Sequence, residues 1–111
     1  MNILKLTAFL LPLLYGQAFA AEAGITVNSP SNGAVVSAQN KVQVNYAATL
    51  GPTGDHLHLY VDGKRVDVLR QIQGSAEFDA SPAGKHHICL TENMKSHAPT
   101  GVEKCVDVTS Q

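Results

Sequence analysis

Asp62-Gly63 stands between two runs of period two, His56 to Val61 and Arg65 to Leu69, and constrains the fold more than any other dipeptide in the chain. Such a pair favours a two-residue hairpin, because both central residues tolerate the positive φ that matches the twist of the flanking strands. The run ahead of the turn is therefore a β-strand. Leu57, Leu59 and Val61 share one face, and His56, His58 and Tyr60 share the other. Two imidazoles two residues apart on a strand project the same way, about 7 Å apart by strand rise, so both rings can lean onto one metal ion.

The remainder of the chain continues in the same style. Ile25 to Val27, Ala34 to Val36, Lys41 to Ala47, Ser75 to Asp79, Lys85 to Thr91 and Val102 to Thr109 read as short strands separated by Gly, Pro, Asn and Ser. No window of eleven or more residues carries an uninterrupted helical apolar repeat. Seven to eight short strands make an all-β chain, and the expected fold is an immunoglobulin/fibronectin-like β-sandwich.

The first twenty residues have a different purpose. Lys5 precedes the apolar run Leu6 to Leu14, and Ala18-Phe19-Ala20 closes it with a small-x-small cleavage pattern. Residues 1–20 are expected to be a signal peptide, residues 21–111 a single domain, and the location periplasmic or secreted. The apolar run is shorter than the roughly 20 residues a permanent membrane span needs. Export makes a disulfide stable, and the chain has two cysteines, Cys89 and Cys105, which are expected to bond to each other. In a domain this small such a staple contributes roughly 3 kcal/mol.

Composition narrows the function. Loss of Lys5 with the leader leaves seven Lys+Arg against nine Asp+Glu, scattered and without an aromatic-rich basic stripe, so no nucleic-acid footprint is present. The sequence also lacks a G-x-S-x-G elbow, an H-E-x-x-H pair, a C-x-x-C pair and a glycine-rich phosphate loop leading into a helix. It reads as a non-enzymatic protein.

Three blocks carry a resemblance: His56-Leu57-His58-Leu59-Tyr60-Val61-Asp62, Ala83-Gly84-Lys85-His86-His87-Ile88-Cys89-Leu90 and His97-Ala98-Pro99. Together they resemble an uncharacterised family of small exported bacterial immunoglobulin-like proteins with a His-rich H-H-H-L-L-I-D strand, a P-G-x-H-T-L-x-L strand and a following H-x-P loop. The likeness covers most of residues 21–111. It departs at Leu57, where the family has a histidine, and at the cysteine pair. It implies the sandwich fold and picks out His56, His58, His86 and His97; it implies no activity.

Strands 56–61, 85–91 and 102–109 are expected to lie side by side as C, F and G of one sheet. Antiparallel pairing of C and F sets the start of the histidine strand beside the loop from Glu92 to Gly101. The candidate metal set is then His56, His58 and His97, with Met94 or Glu92 as a fourth ligand. Imidazoles suit Cu(II), Zn(II) or Ni(II), and a thioether favours Cu(I), so copper is the first expectation and zinc the second. His86 and His87 fall at the other end of F, about 15 Å away. His86 shares the core-facing parity of Ile88 and reads as a plug bonded to a turn carbonyl, and His87 as an exposed residue. Asp55 and Asp62 flank the strand as candidates to orient an imidazole, and Asp62 is more simply explained by its turn. The expected function is periplasmic metal binding. The competing reading is an interaction module that docks an envelope protein or polysaccharide, with incidental histidines half-exposed on the sheet.

Overall fold

A computed structural model describes residues 22–111, all of whose regular elements are strands; the expected signal peptide lies outside the described residues. The strands are β1 (Gly24–Ser29), β2 (Ala34–Val36), β3 (Lys41–Thr49), β4 (His56–Val61), β5 (Lys64–Leu69), β6 (Gln73–Asp79), β7 (Gly84–Asn93) and β8 (Pro99–Ser110). They form a three-stranded sheet in the order β1-β3-β6 and a five-stranded sheet in the order β2-β8-β7-β4-β5. The architecture is the expected β-sandwich, and no helix among the described residues is long and apolar enough to cross a membrane.

The turns explain the connectivity. Asp62 and Gly63 both adopt left-handed φ, 53° and 81°, and Val61 pairs with Lys64 across the two-residue loop. The register then shifts, because Leu59 opposes Asp67 while Tyr60 opposes Arg65. Val66 is the extra residue of this bulge, and it lies half-exposed on an edge strand. The turn-rich Asn28 to Gly33 segment carries the chain between sheets: β1 pairs with β3, whereas β2 runs parallel to the end of β8.

The core lies between the sheets and is filled by alternate residues. β3 contributes Val44 and Tyr46, β6 Ala76 and Phe78, β4 Leu57, Leu59 and Val61, β7 Ile88 and Leu90, and β8 Val106 and Val108. Tyr46 keeps its hydroxyl satisfied by donating to the Gln71 carbonyl at 2.9 Å. Pairing of Cys89 with Cys105 across β7 and β8 places both on the outer face, where they are joined as a disulfide.

Glu92 opposes Leu57, so its carboxylate turns to the core side of the sheet rather than toward the histidines. There it accepts from the Gly51 amide at 2.7 Å and from the Thr100 hydroxyl. A Cβ at Gly54 would meet Glu92 Oε2 at 2.5 Å, so that close approach requires glycine. Glu92 is therefore a clasp between two loops, and the expectation that it serves as a fourth ligand is corrected by strand parity.

Leu59 is fully buried at the centre of this core. Leu59→Ala is expected to cost about 3 kcal/mol in urea unfolding, from lost burial plus the cavity left behind.

Candidate metal centre

β4 and the β7–β8 loop build the centre. His56 opposes Asn93 and His58 opposes Thr91, so both imidazoles lie on the outer face beside the end of β7. Both are only 1% exposed. Half-exposed histidines were one expectation from the strand pattern, and the loop tip accounts for the difference. Residues Met94 to Ala98 form this tip, with the His97 amide donating to the Met94 carbonyl and the Met94 amide to the Ala98 carbonyl, each at 2.8 Å. His97 takes a left-handed φ of 74°, which is uncommon outside glycine.

Asn93 holds this tip in place. Its side-chain amide donates to the His97 carbonyl at 3.1 Å, and its oxygen accepts from the Thr91 hydroxyl at 2.7 Å. Sequence reasoning passed over Asn93. Its only signal is the parity it shares with His56, which becomes visible once the β4–β7 register is known.

Three ring nitrogens converge. His56 Nε2 lies 3.0 Å from His58 Nε2, and His97 Nδ1 lies 3.1 Å from each of them. An imidazole nitrogen offers one in-plane site, either a proton or a lone pair. Three such nitrogens in mutual contact cannot make all three edges hydrogen bonds, because at least one edge pairs like with like. One cation accepting all three lone pairs removes the conflict. The point equidistant from the nitrogens lies about 1.8 Å from each, close to the usual metal–imidazole distance of ~2.0–2.1 Å, so these three residues would hold one cation together.

The surroundings favour the required protonation states. His56 Nδ1 contacts Asp55 Oδ2 at 2.8 Å, and a proton on Nδ1 leaves the lone pair on Nε2. Such a carboxylate–imidazole pairing fixes the tautomer and the orientation of the ring. The same hydrogen bond holds the Asp55 carboxyl below its ordinary 3.8, while Arg70 approaches Asp55 at 3.3 Å. Burial, reinforced by repulsion from His56, pulls His58 below the ordinary 6.5 and toward the neutral, ligating form. His58 Nδ1 is buried without a hydrogen-bond partner.

Of the expected ligand set, the structure brings together His56, His58 and His97. Met94 takes part in the loop tip through its backbone amide and carbonyl. A second cluster joins His87, Cys89 and Cys105, but its sulfurs are bonded to each other, which leaves the imidazole as its one free donor.

The other expected histidines lie at the opposite end of β7. His86 Nδ1 meets Asp62 Oδ2 and Nε2 meets the Pro82 carbonyl, both at 2.7 Å. Each contact requires a proton on the ring, so this environment holds an imidazolium plugging the sandwich end. His87 is exposed and contacts Asp107.

Among solved structures, the fibronectin(III)-like modules of Clostridium thermocellum CbhA superpose with a TM-score of 0.66 at 15% identity, covering 78% of this chain and 96% of theirs. The fold is fibronectin(III)-like. An engineered protein superposes with a TM-score of 0.58 at 16% identity; the match covers 82% of this chain but only 20% of that longer protein. No protein-family model and no curated protein matches the sequence.

The His86 environment sets a pH dependence. Hydrogen bonds to Asp62 and then to the Pro82 carbonyl raise His86 above 6.5 despite its burial. Burial opposes ionisation of Asp62, yet hydrogen bonds from the His87 amide and the His86 ring hold it below 3.8. A raised histidine stabilises fully below its unfolded value and loses that contribution as pH climbs through the folded one. Asp62 supplies its share above 3.8 and loses it on acidification. Asp62→Asn is expected to cost on the order of 1 kcal/mol in urea unfolding at pH 6, tempered by solvent around Asp62, and clearly less at pH 9.

Proposed function

We propose that this protein is an exported, non-enzymatic metal-binding β-sandwich that holds one transition-metal ion through His56, His58 and His97. The observation that carries the reading is the triangle of ring nitrogens 3.0–3.1 Å apart, which a shared cation satisfies and protons alone do not. A strand pair of buried rings supplies two ligands, and the strained loop residue His97 closes the third side.

Copper is the first choice and zinc the second. An all-imidazole donor set accepts both, and divalent affinity rises to a maximum at copper along the first-row series. Met94, in the same loop tip, is the proposed fourth donor for Cu(I), drawing on its thioether. The exposed His97 opens the centre to solvent, as exchange of an ion with a carrier requires. An export signal at residues 1–20 would put the domain in the periplasm or outside the cell, where the Cys89–Cys105 bond persists.

The second reading is an interaction module of the fibronectin kind that docks an envelope protein or polysaccharide. Its support is the exposure of Val35, Val66 and Ile72, the first two on the edge strands β2 and β5. Capture of a partner from envelope extracts, unchanged by a chelator, would favour it over the metal reading.

Calorimetric titration with Cu(II), Cu(I) and Zn(II) tests the proposal. Binding tighter than about 10 µM is expected for copper, reduced at least about a hundredfold by His56→Ala or His58→Ala. Saturating metal should also raise the melting temperature, since a ligand at a hundred times its Kd adds about 2.7 kcal/mol to the folded state. Absence of binding, or binding indifferent to both substitutions, overturns the reading.

A further inference from the structure

The metal centre does not use the disulfide, yet the surroundings of that bond are asymmetric in three respects. Cys89 is 8% exposed and lies on β7, flanked on the β4 side by Tyr60, its register partner. Cys105 is half-buried and lies on β8. Beyond β8 the next strand is β2, which pairs only with Val108 to Ser110, so among the described strands none pairs along that side of Cys105. The third asymmetry is chemical. His87 Nε2 lies 3.2 Å from Cys89 Sγ, while its Nδ1 meets Asp107 Oδ1 at 2.6 Å. His87 and Asp107 are directly opposed on β7 and β8, two residues from the cystine pair and on the same outer face.

Thiol–disulfide exchange needs a thiolate aligned with the S–S bond and a leaving sulfur whose charge is stabilised. Of the two sulfur-bearing residues Cys105 is the more exposed, so an incoming thiolate reaches it more readily than it reaches Cys89. With its Nδ1 proton directed at Asp107, an imidazolium at His87 directs its other proton at Cys89 Sγ. We propose that Cys89–Cys105 is an exchange site for small monothiols, with Cys105 the attacked sulfur, Cys89 the leaving sulfur and His87 its proton donor.

The step balances as written. The incoming thiolate bonds Cys105 Sγ, the Cys89–Cys105 bond breaks, and its electron pair leaves on Cys89 Sγ, which takes the His87 Nε2 proton. A second thiolate that attacks the external sulfur of the mixed disulfide releases the oxidised thiol dimer and frees Cys105. Cys105 leaves as a thiolate and takes a proton from water, so the protein then holds two thiols and has gained the two electrons that two monothiol molecules lost.

Reduced glutathione is the probe. The oxidised protein is incubated with it, quenched in acid at early times, and the mixed disulfide located by peptide mass spectrometry. The glutathionyl group is expected on Cys105 in about tenfold excess over Cys89, and His87→Ala is expected to slow its formation about tenfold. His87 is exposed, so circular dichroism of the variant should match that of the parent. An adduct shared equally, an adduct favouring Cys89, an unchanged rate in the variant, or no adduct at all each overturns the proposal.

Discussion

The pairing register of β4 against β7 is the constraint on which the rest of this molecule depends. With Leu57 opposite Glu92 and His58 opposite Thr91, three apolar side chains face the other sheet and two imidazoles face outward. A slip of one residue would turn every β4 side chain to the opposite face, burying the imidazoles among hydrocarbon and exposing the leucines. The Asp-Gly turn pins one end of β4 and the disulfide ties β7 to β8. The cluster of three histidines is thus defined by features that are themselves structural.

Burial of two imidazoles on the outer face needs compensation. A neutral ring still carries a donor and an acceptor, and each unpaired buried polar atom is costly. His56 finds Asp55 for one nitrogen, whereas His58 Nδ1 has no partner. Both rings turn their Nε2 atoms toward the same point, where His97 joins them from a left-handed residue held by Asn93. Backbone strain, an unpaired buried atom and a lowered imidazole basicity all converge on one small volume. Purely structural packing rarely gathers such departures in one place, and binding sites often do.

Much of this was legible in the sequence because a period of two requires no tertiary knowledge. The alternation of 56–61 and 41–47, the Asp-Gly turn and the spacing of glycines and prolines define the strands and the layered fold, and the parity of Cys89 and Cys105 agrees with a cross-strand bond. The union of His56 and His58 with His97 was also readable, since antiparallel pairing carries the loop after β7 back over the start of β4. The role of Glu92 was not. Its side is decided by which residue it opposes, and single-residue register is invisible without the partner strand. The clasp through Asn93 and the depth of burial of the two imidazoles depend on the path of the loop tip, which the left-handed His97 sets; nothing in the local sequence announces that conformation at a histidine.

The two ends of the five-stranded sheet show how one residue type is put to opposite uses by its neighbours. At the Pro82 end, His86 is surrounded by acceptors, a carboxylate and a carbonyl, and both ring nitrogens are called on to donate. At the Asn93 end, His58 meets two other imidazoles and no carboxylate, so a charge there is penalised by burial and by its neighbours. Proton binding suits the first site, and lone-pair donation suits the second. Both histidines are almost fully buried, so burial alone does not distinguish a plug from a ligand. The distinction lies in whether the atoms facing the ring are acceptors or other lone pairs, and by that criterion His86 is complete within the protein, whereas the nitrogens of His56, His58 and His97 are left facing one another.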